Sequence, residues 1–242
     1  EKYMASSTSS DLKLELITTG EKSGTWGTIT NTNLQILEQA ASGYISLAVG
    51  SGDVALSLAN HATANGKNLY YKLTGTLTAN RSVTMPDSAE RVFIVEDATT
   101  RSSNNYTLTV KTVSGTGLTL PVGSTTILYS DGTNITGKLQ TKGYYTPTAT
   151  YTTVNGDQVL IDTSGSGISG PITINLPASP AIGNEVTFID SGNNLASNNL
   201  TVGRNGSNIN GAASNLVVSA NASAFTLVYV NATRGWVYKD KI

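Results

Sequence analysis

The chain has 242 residues, with 15 basic and 16 acidic side chains, one histidine and no cysteine. Charged residues make up 13%, about half the ordinary share of roughly 25%, while 26 serines, 35 threonines, 22 asparagines and 24 glycines dominate the composition. This balance excludes a disordered polyelectrolyte and argues against nucleic-acid binding, which needs a basic face; without cysteine or a second histidine, disulfides, thiolate metal sites and paired-histidine zinc go as well.

No stretch reaches the run of about 18 apolar residues that a membrane span requires, and residues 1–20 lack the apolar core of a secretory signal. Met4-Ala5-Ser6-Ser7-Thr8 reads as an ordinary N-terminus and is a candidate natural start, in which case Glu1, Lys2 and Tyr3 would lie upstream of it. Residues 1–43 carry Asp11, Lys13, Glu15, Glu21, Lys22 and Glu38, a dense charge for this chain. Leu12, Leu14 and Leu16 alternate with Lys13 and Glu15 at strand period, and Gly24-Thr25-Trp26-Gly27 reads as a turn. Leu34, Ile36, Leu37, Ala40 and Ala41 recur near helical spacing. With N-cap candidates at Thr30, Asn31, Thr32 and Asn33 and a stop at Ser42-Gly43, they predict a helix of about ten residues. A lone amphipathic helix cannot bury its own face. It must dock on the following domain or on another chain, and Trp26, Leu34, Ile36, Leu37 and Ala41 are the anchor candidates.

From Tyr44 onward the chain reads as all-β. Short runs rich in Val, Ile, Thr, Tyr and Phe are separated by Gly, Asn, Ser and Asp. They fall at 82–85, 91–96, 106–111, 125–130, 158–162, 172–176, 185–190, 199–203, 215–219, 224–230 and 235–239. Within 106–110, Tyr106, Leu108 and Val110 share one face and the threonines the other. The runs 92–95 and 226–230 are apolar throughout, as strands covered on both sides would be. Six stretches recur in order about 100 residues apart. Gly52–Leu56 resembles Gly156–Leu160, and Leu73-Thr74-Gly75 resembles Ile168-Ser169-Gly170. The segments 83–86, 91–97, 104–110 and 124–130 match 174–177, 184–190, 198–202 and 223–230. The expected fold is therefore all-β: two tandem β-sandwich domains, jelly-roll-like or Ig-like, at 44–140 and 150–242. A linker at 141–149 joins them, and an N-terminal arm with one helix precedes them at 1–43.

Chemistry is sparse. His61 has no acid or nucleophile motif beside it and reads as a polar loop residue. Glu90, Glu96, Asp97, Asp157, Asp162, Glu185 and Asp190 could supply the carboxylate pair of a glycosidase. Strand-end acids, however, commonly accept turn N–H groups instead. No Asp-x-Asp-x-Asp-Gly loop offers a calcium site. The glycine-rich segments 164–170 and 205–208 lack the lysine and the strand–helix frame of a phosphate loop. No cofactor is expected, and no enzyme activity. The aromatics Tyr70, Tyr71, Tyr144, Tyr145 and Trp236 are candidate glycan contacts. The competing reading places one ring of each tyrosine pair in a core and the other at a subunit interface.

The run 4–27, above all Gly20-Glu21-Lys22-Ser23-Gly24-Thr25-Trp26-Gly27, continues through Asn31-Thr32-Asn33-Leu34. It resembles the N-termini of virion structural proteins of tailed phages, especially phages of marine cyanobacteria. The segments 174–177, 183–190, 199–202, 226–230 and Gly235-Trp236 look like the β-repeat of phage tail-fibre-like proteins. The resemblance implies an assembled structural role in the virion, a tail or neck fibre or a fibre base, with the N-terminal segment as the attachment. The expected partners are the chain itself, as a homo-oligomer with a trimer first, other tail, neck or capsid proteins, and host surface glycans. Nucleic acid and membrane are not among them. The alternatives are a capsid decoration protein and a carbohydrate-binding receptor-recognition module. A polysaccharide depolymerase is set aside because neither a long right-handed β-helix nor a clear carboxylate cluster stands out.

Overall fold

The computed structural model describes residues 5–103, 105–141 and 143–240, without the side chains of 138–141. The expected start at Met4, and Asn104 of one repeat match, lie outside the described residues. The chain falls into two compact units. The first takes in the chain to Thr100, then Thr107–Leu120 and Thr125–Gln140; the second takes in Arg101–Tyr106, Pro121–Ser124 and the chain from Thr141 on.

The arm forms a small antiparallel ribbon, β1 (Ser7–Thr8) with β2 (Glu15–Leu16), followed by α1 (Trp26–Ser42). At 17 residues the helix is longer than expected. The predicted turn at 24–27 becomes its entry, with the N–H groups of Thr25 and Trp26 both donating to the Lys22 carbonyl. Threonine and asparagine are poor helix formers. Here Asn33 offsets that cost by clasping β2: its Oδ1 accepts the Glu15 N–H at 3.0 Å and its Nδ2 donates to the Glu15 carbonyl at 2.8 Å. The helix ends where expected, at Gly43, whose N–H donates to the Gln39 carbonyl at 2.8 Å.

Unit 1 continues through β3 (Tyr44–Ala48), β4 (Val54–Ala55), β5 (Tyr70–Leu77), β6 (Arg81–Met85), β7 (Glu90–Arg101), β8 (Leu108–Thr112), β9 (Gly117–Thr119), β10 (Thr125–Asp131) and β11 (Ile135–Thr141). The chain alternates between two sheets, ordered β3-β5-β7-β10-β11 and β4-β6-β8-β9. β3 pairs parallel with β5, β4 with β6, and β6 with β8. β9 then returns antiparallel to β8, and β10 antiparallel to β7. Unit 2 repeats this plan with β12 (Tyr144–Tyr145), β13 (Tyr151–Thr152), β14 (Gln158–Ile161), β15 (Ile172–Asn175), β16 (Glu185–Asp190), β17 (Leu200–Gly203), β18 (Leu216–Val218), β19 (Ala224–Asn231) and β20 (Gly235–Tyr238). Its sheets are β12-β14-β16-β19-β20 and β13-β15-β17-β18, parallel up to β16 and β17 and antiparallel thereafter.

Each unit is thus a short β-solenoid of three coils closed by an antiparallel return, and the expected β-sandwich domains are not formed. A coil and a sandwich both bury alternate residues between two sheets, so strand periodicity reads the same in either. What differs is pairing partner and direction, which one strand's pattern does not encode. Four of the six sequence matches fall on strands holding the same place in the two units: β6 with β15, β7 with β16, β8 with β17 and β10 with β19. The matches at 52–56 and 73–75 pair strands or loops in different places. The expected linker contains β12, the first strand of unit 2. The all-apolar run 92–95 is not covered on both sides: Phe93 and Val95 are buried, whereas Val92 is exposed and Ile94 half-buried.

Asparagine and aspartate bridge successive coils at the corners. Asp53 Oδ1 accepts the Ser82 N–H at 2.8 Å, Asn80 Oδ1 that of Thr107 at 3.0 Å, Asp87 Oδ1 that of Ser114 at 3.1 Å and Asn155 Oδ1 that of Glu185 at 2.9 Å. Each partner lies one coil further along the chain. A corner breaks the ladder and leaves an amide without a strand partner; a short acceptor side chain supplies one. The longest corner of unit 1, between β4 and β5, has many carbonyls to satisfy and recruits cations. The buried Lys67 Nζ donates to the carbonyls of Ala59 at 2.7 Å and Ala62 at 2.6 Å. Arg91 donates to those of Gly66, Lys67 and Asn68.

Replacing Asn80 with alanine removes one such acceptor. The substitution is expected to cost about 1 kcal/mol, read as a lower urea midpoint with unchanged m-value.

Candidate functional site

Two surfaces collect the sequence candidates. The first is the helix. Helical periodicity sets Trp26, Leu34, Leu37 and Ala41 on one stripe. All four are exposed, Trp26 at 63% and Leu34 at 56%. Ile36 is fully buried on the adjoining face. That face is held to unit 1 through Asn33 on β2 and through Gln39, whose Nε2 donates to the Ala64 carbonyl at 3.0 Å. So the helix docks on its own unit with one face and leaves an apolar stripe free on another. Four of the five anchor candidates share that stripe; Ile36 belongs to the docked face. Leu16 on β2 is exposed as well.

The second surface is the outward face of β3, β5 and β7. Tyr70 and Tyr71 are consecutive on a strand and point to opposite sides. Tyr71 is buried edge-on against Phe93 at 5.8 Å, its phenol pushed up to about 12 by burial. Tyr70 faces out and stacks on Tyr44 at 5.9 Å. Its hydroxyl donates to Glu96 Oε2 at 2.9 Å, and Lys72 Nζ lies 3.0 Å from Glu96 Oε1. The Lys72 ammonium, aided by the Tyr70 hydroxyl and opposed by burial, holds the Glu96 carboxyl below the usual glutamate range. Burial and the Glu96 charge together push the Tyr70 phenol up. The result is an aromatic ring exposed at 60%, Tyr44, beside a hydrogen-bond acceptor and a cation. Such a surface can stack on a ring-shaped ligand and bond its hydroxyls. Tyr44, Lys72 and Glu96 escaped the sequence reading as a group, because only the parallel register sets Tyr44 beside Tyr70.

The remaining aromatic candidates lie in unit 2. Trp236 is fully buried, edge-on to Tyr229 at 5.6 Å, and like Tyr71 cannot touch a glycan. Its strand follows an outer edge taken up by the chain itself: the Trp236 N–H donates to the Asn208 carbonyl, and the Trp236 carbonyl accepts from Asn210. Tyr145 is half-buried against Tyr151 at 5.0 Å, and Tyr144 is exposed.

The carboxylates serve local structure. Asp97 Oδ1 accepts the Thr99 N–H and hydroxyl, and Asp162 Oδ1 those of Ser164. Asp190 Oδ2 accepts the Ala222 N–H at 3.0 Å, and Glu185 pairs with Lys239 at 2.7 Å. Glu90 is exposed at the start of β7. His61 anchors the arm: its N–H donates to the Lys13 carbonyl at 2.8 Å and its Nε2 lies 2.8 Å from the Thr8 hydroxyl. Among the described residues no group of three or more His, Cys, Asp or Glu is placed to hold a metal, and no helix is long and apolar enough to cross a membrane.

No family model matches the chain, and no curated protein matches it in sequence. Among solved structures, one described as "Structure of a chaperone-substrate complex" is similar at a TM-score of 0.35 and 12% identity, over 81% of this chain and 36% of that one. The chain thus spans about a third of that protein's length, and a likeness this low carries no argument.

The two faces of α1 are separable by mutation. Ile36→Ala is expected to destabilise unit 1 by about 2–4 kcal/mol. Trp26→Ala and Leu34→Ala should each stay within about 0.5 kcal/mol. Urea unfolding of the three variants checks both statements.

Proposed function

We propose that the chain is a structural subunit of a tailed-phage-type virion, a fibre or fibre-base component, attached through the exposed stripe of α1. The observation that carries this reading is a helix already docked at home that still exposes Trp26, Leu34, Leu37 and Ala41. The resemblance of residues 4–34 to virion N-termini supports it. Trp is favoured at binding hot spots, and a stripe without charge can be buried without desolvating ions. A low overall charge also favours close packing of copies, and a homotrimer is the first stoichiometry to expect.

The test leaves the fold intact. A Trp26→Ser, Leu34→Ser, Leu37→Ser triple variant should melt like the parent yet fail to enter particles when it replaces the parent during phage growth. Stoichiometric incorporation of that variant would overturn the attachment reading. Copy number in purified particles distinguishes a fibre from a capsid decoration protein. Light scattering on the isolated protein is expected to give a trimer mass.

The outward face of β3, β5 and β7 favours a second role, receptor recognition through saccharide. Tyr44 provides the stacking ring, Glu96 and Lys72 the acceptor and donor. On a glycan array, Tyr44→Ala should abolish any signal the parent gives, while Tyr144→Ala should leave it unchanged.

A further inference from the structure

Unit 2 begins around a carboxyl that neither surface uses. Asp157, at the entry to β14, is 2% exposed. Its Oδ2 accepts two hydrogen bonds, from the Tyr151 hydroxyl at 2.7 Å and from the Val154 N–H at 2.8 Å. Its own carbonyl accepts the Thr187 N–H at 2.9 Å. One residue thus joins β13, the turn after it and the β14–β16 ladder. The coil it closes is weakly paired, since β12 and β13 are two residues each. The other ionisable groups facing the site are Tyr145, edge-on to Tyr151, and Arg101, whose positive field reaches the carboxyl and both phenols.

We propose that Asp157 is a proton-operated clasp on the first coil of unit 2, tight in acid and slack at neutral pH. Burial is the dominant influence on its carboxyl. It raises the value from 3.8 to about 6, against the Val154 and Tyr151 hydrogen bonds and the Arg101 charge. Burial also pushes the Tyr151 phenol far up, so the phenol remains a donor throughout. The closed coil therefore keeps its proton at pH values where an opened coil has lost it. Between the two values the closed form binds more protons, so its stability falls as pH rises and levels off above about 6.

Hydrogen exchange on the full-length protein reads this directly. After correction for intrinsic exchange, the opening constant of amides in 144–154 should rise roughly fifty-fold between pH 4 and pH 8, most of it below pH 6.5. In Asp157→Asn the rise should vanish. Tyr151→Phe keeps the carboxyl but removes a donor that favours its charged form, so its midpoint should move to higher pH. A flat profile in the parent overturns the clasp, as does a rise that persists in Asp157→Asn. Should that variant fail to fold, an unmoved or lowered midpoint in Tyr151→Phe overturns it instead.

Discussion

A strand in a parallel ladder meets its neighbour at matching height, so each side chain stacks on the one a coil earlier. Tyr44 lies beside Tyr70, Val54 beside Val83, and Val83 beside Val110. From this register come both the interior and the outward surface. Inside each unit, like stacks on like, and alternate strand residues close into an apolar core. Outside, Tyr44, Tyr70, Lys72 and Glu96 become neighbours although they span more than fifty positions of sequence.

Parallel pairing also leaves an open ladder at each end of a coil stack, an invitation to unwanted strand addition. The units handle this by several means. β4, β12 and β13 are only two residues long, and β9 and β18 three. In unit 1 the chain returns antiparallel through β9 and β10, and the arm with α1 is stitched to the opening coil by Asn33, Gln39 and His61. In unit 2 the segment at Asn208 and Asn210 occupies the ladder position outside Trp236. The buried Lys67 belongs to the same economy of the backbone. An ammonium is hard to desolvate, and it persists here because two carbonyls of an irregular corner replace its water.

Much of this was legible in the sequence, in uneven ways. The β-rich runs fell on β6, β7, β8, β10 and β14 to β20, and alternation placed Leu108 and Val110 inside, whereas β3, β4, β5, β9, β11, β12 and β13 lay outside those runs. The Ser42-Gly43 stop set the end of α1, and consecutive Tyr70 and Tyr71 had to part company across the sheet. The solenoid itself was hidden, because alternation specifies which face is buried and not which strand lies alongside. The clue that was present and unread is the spacing of acceptors: Asp53, Asn80, Asp87 and Asn155 each sit one coil before the amide they satisfy. The helix start was misplaced because Thr and Asn favour caps in isolation, whereas here Asn33 works from within the helix by gripping β2.

The corner acceptors decouple the length of a coil from its register. Tyr144 reaches its parallel partner Gln158 after 14 residues, and Gln158 reaches Thr187 after 29, yet both steps deliver a strand to the same sheet. The strands set the pitch and the corners absorb the difference in chain length. Evolution can therefore lengthen a corner, decorate it or trim it while the column beneath stays in phase. A scaffold of this kind diversifies at its edges and remains constant along its spine.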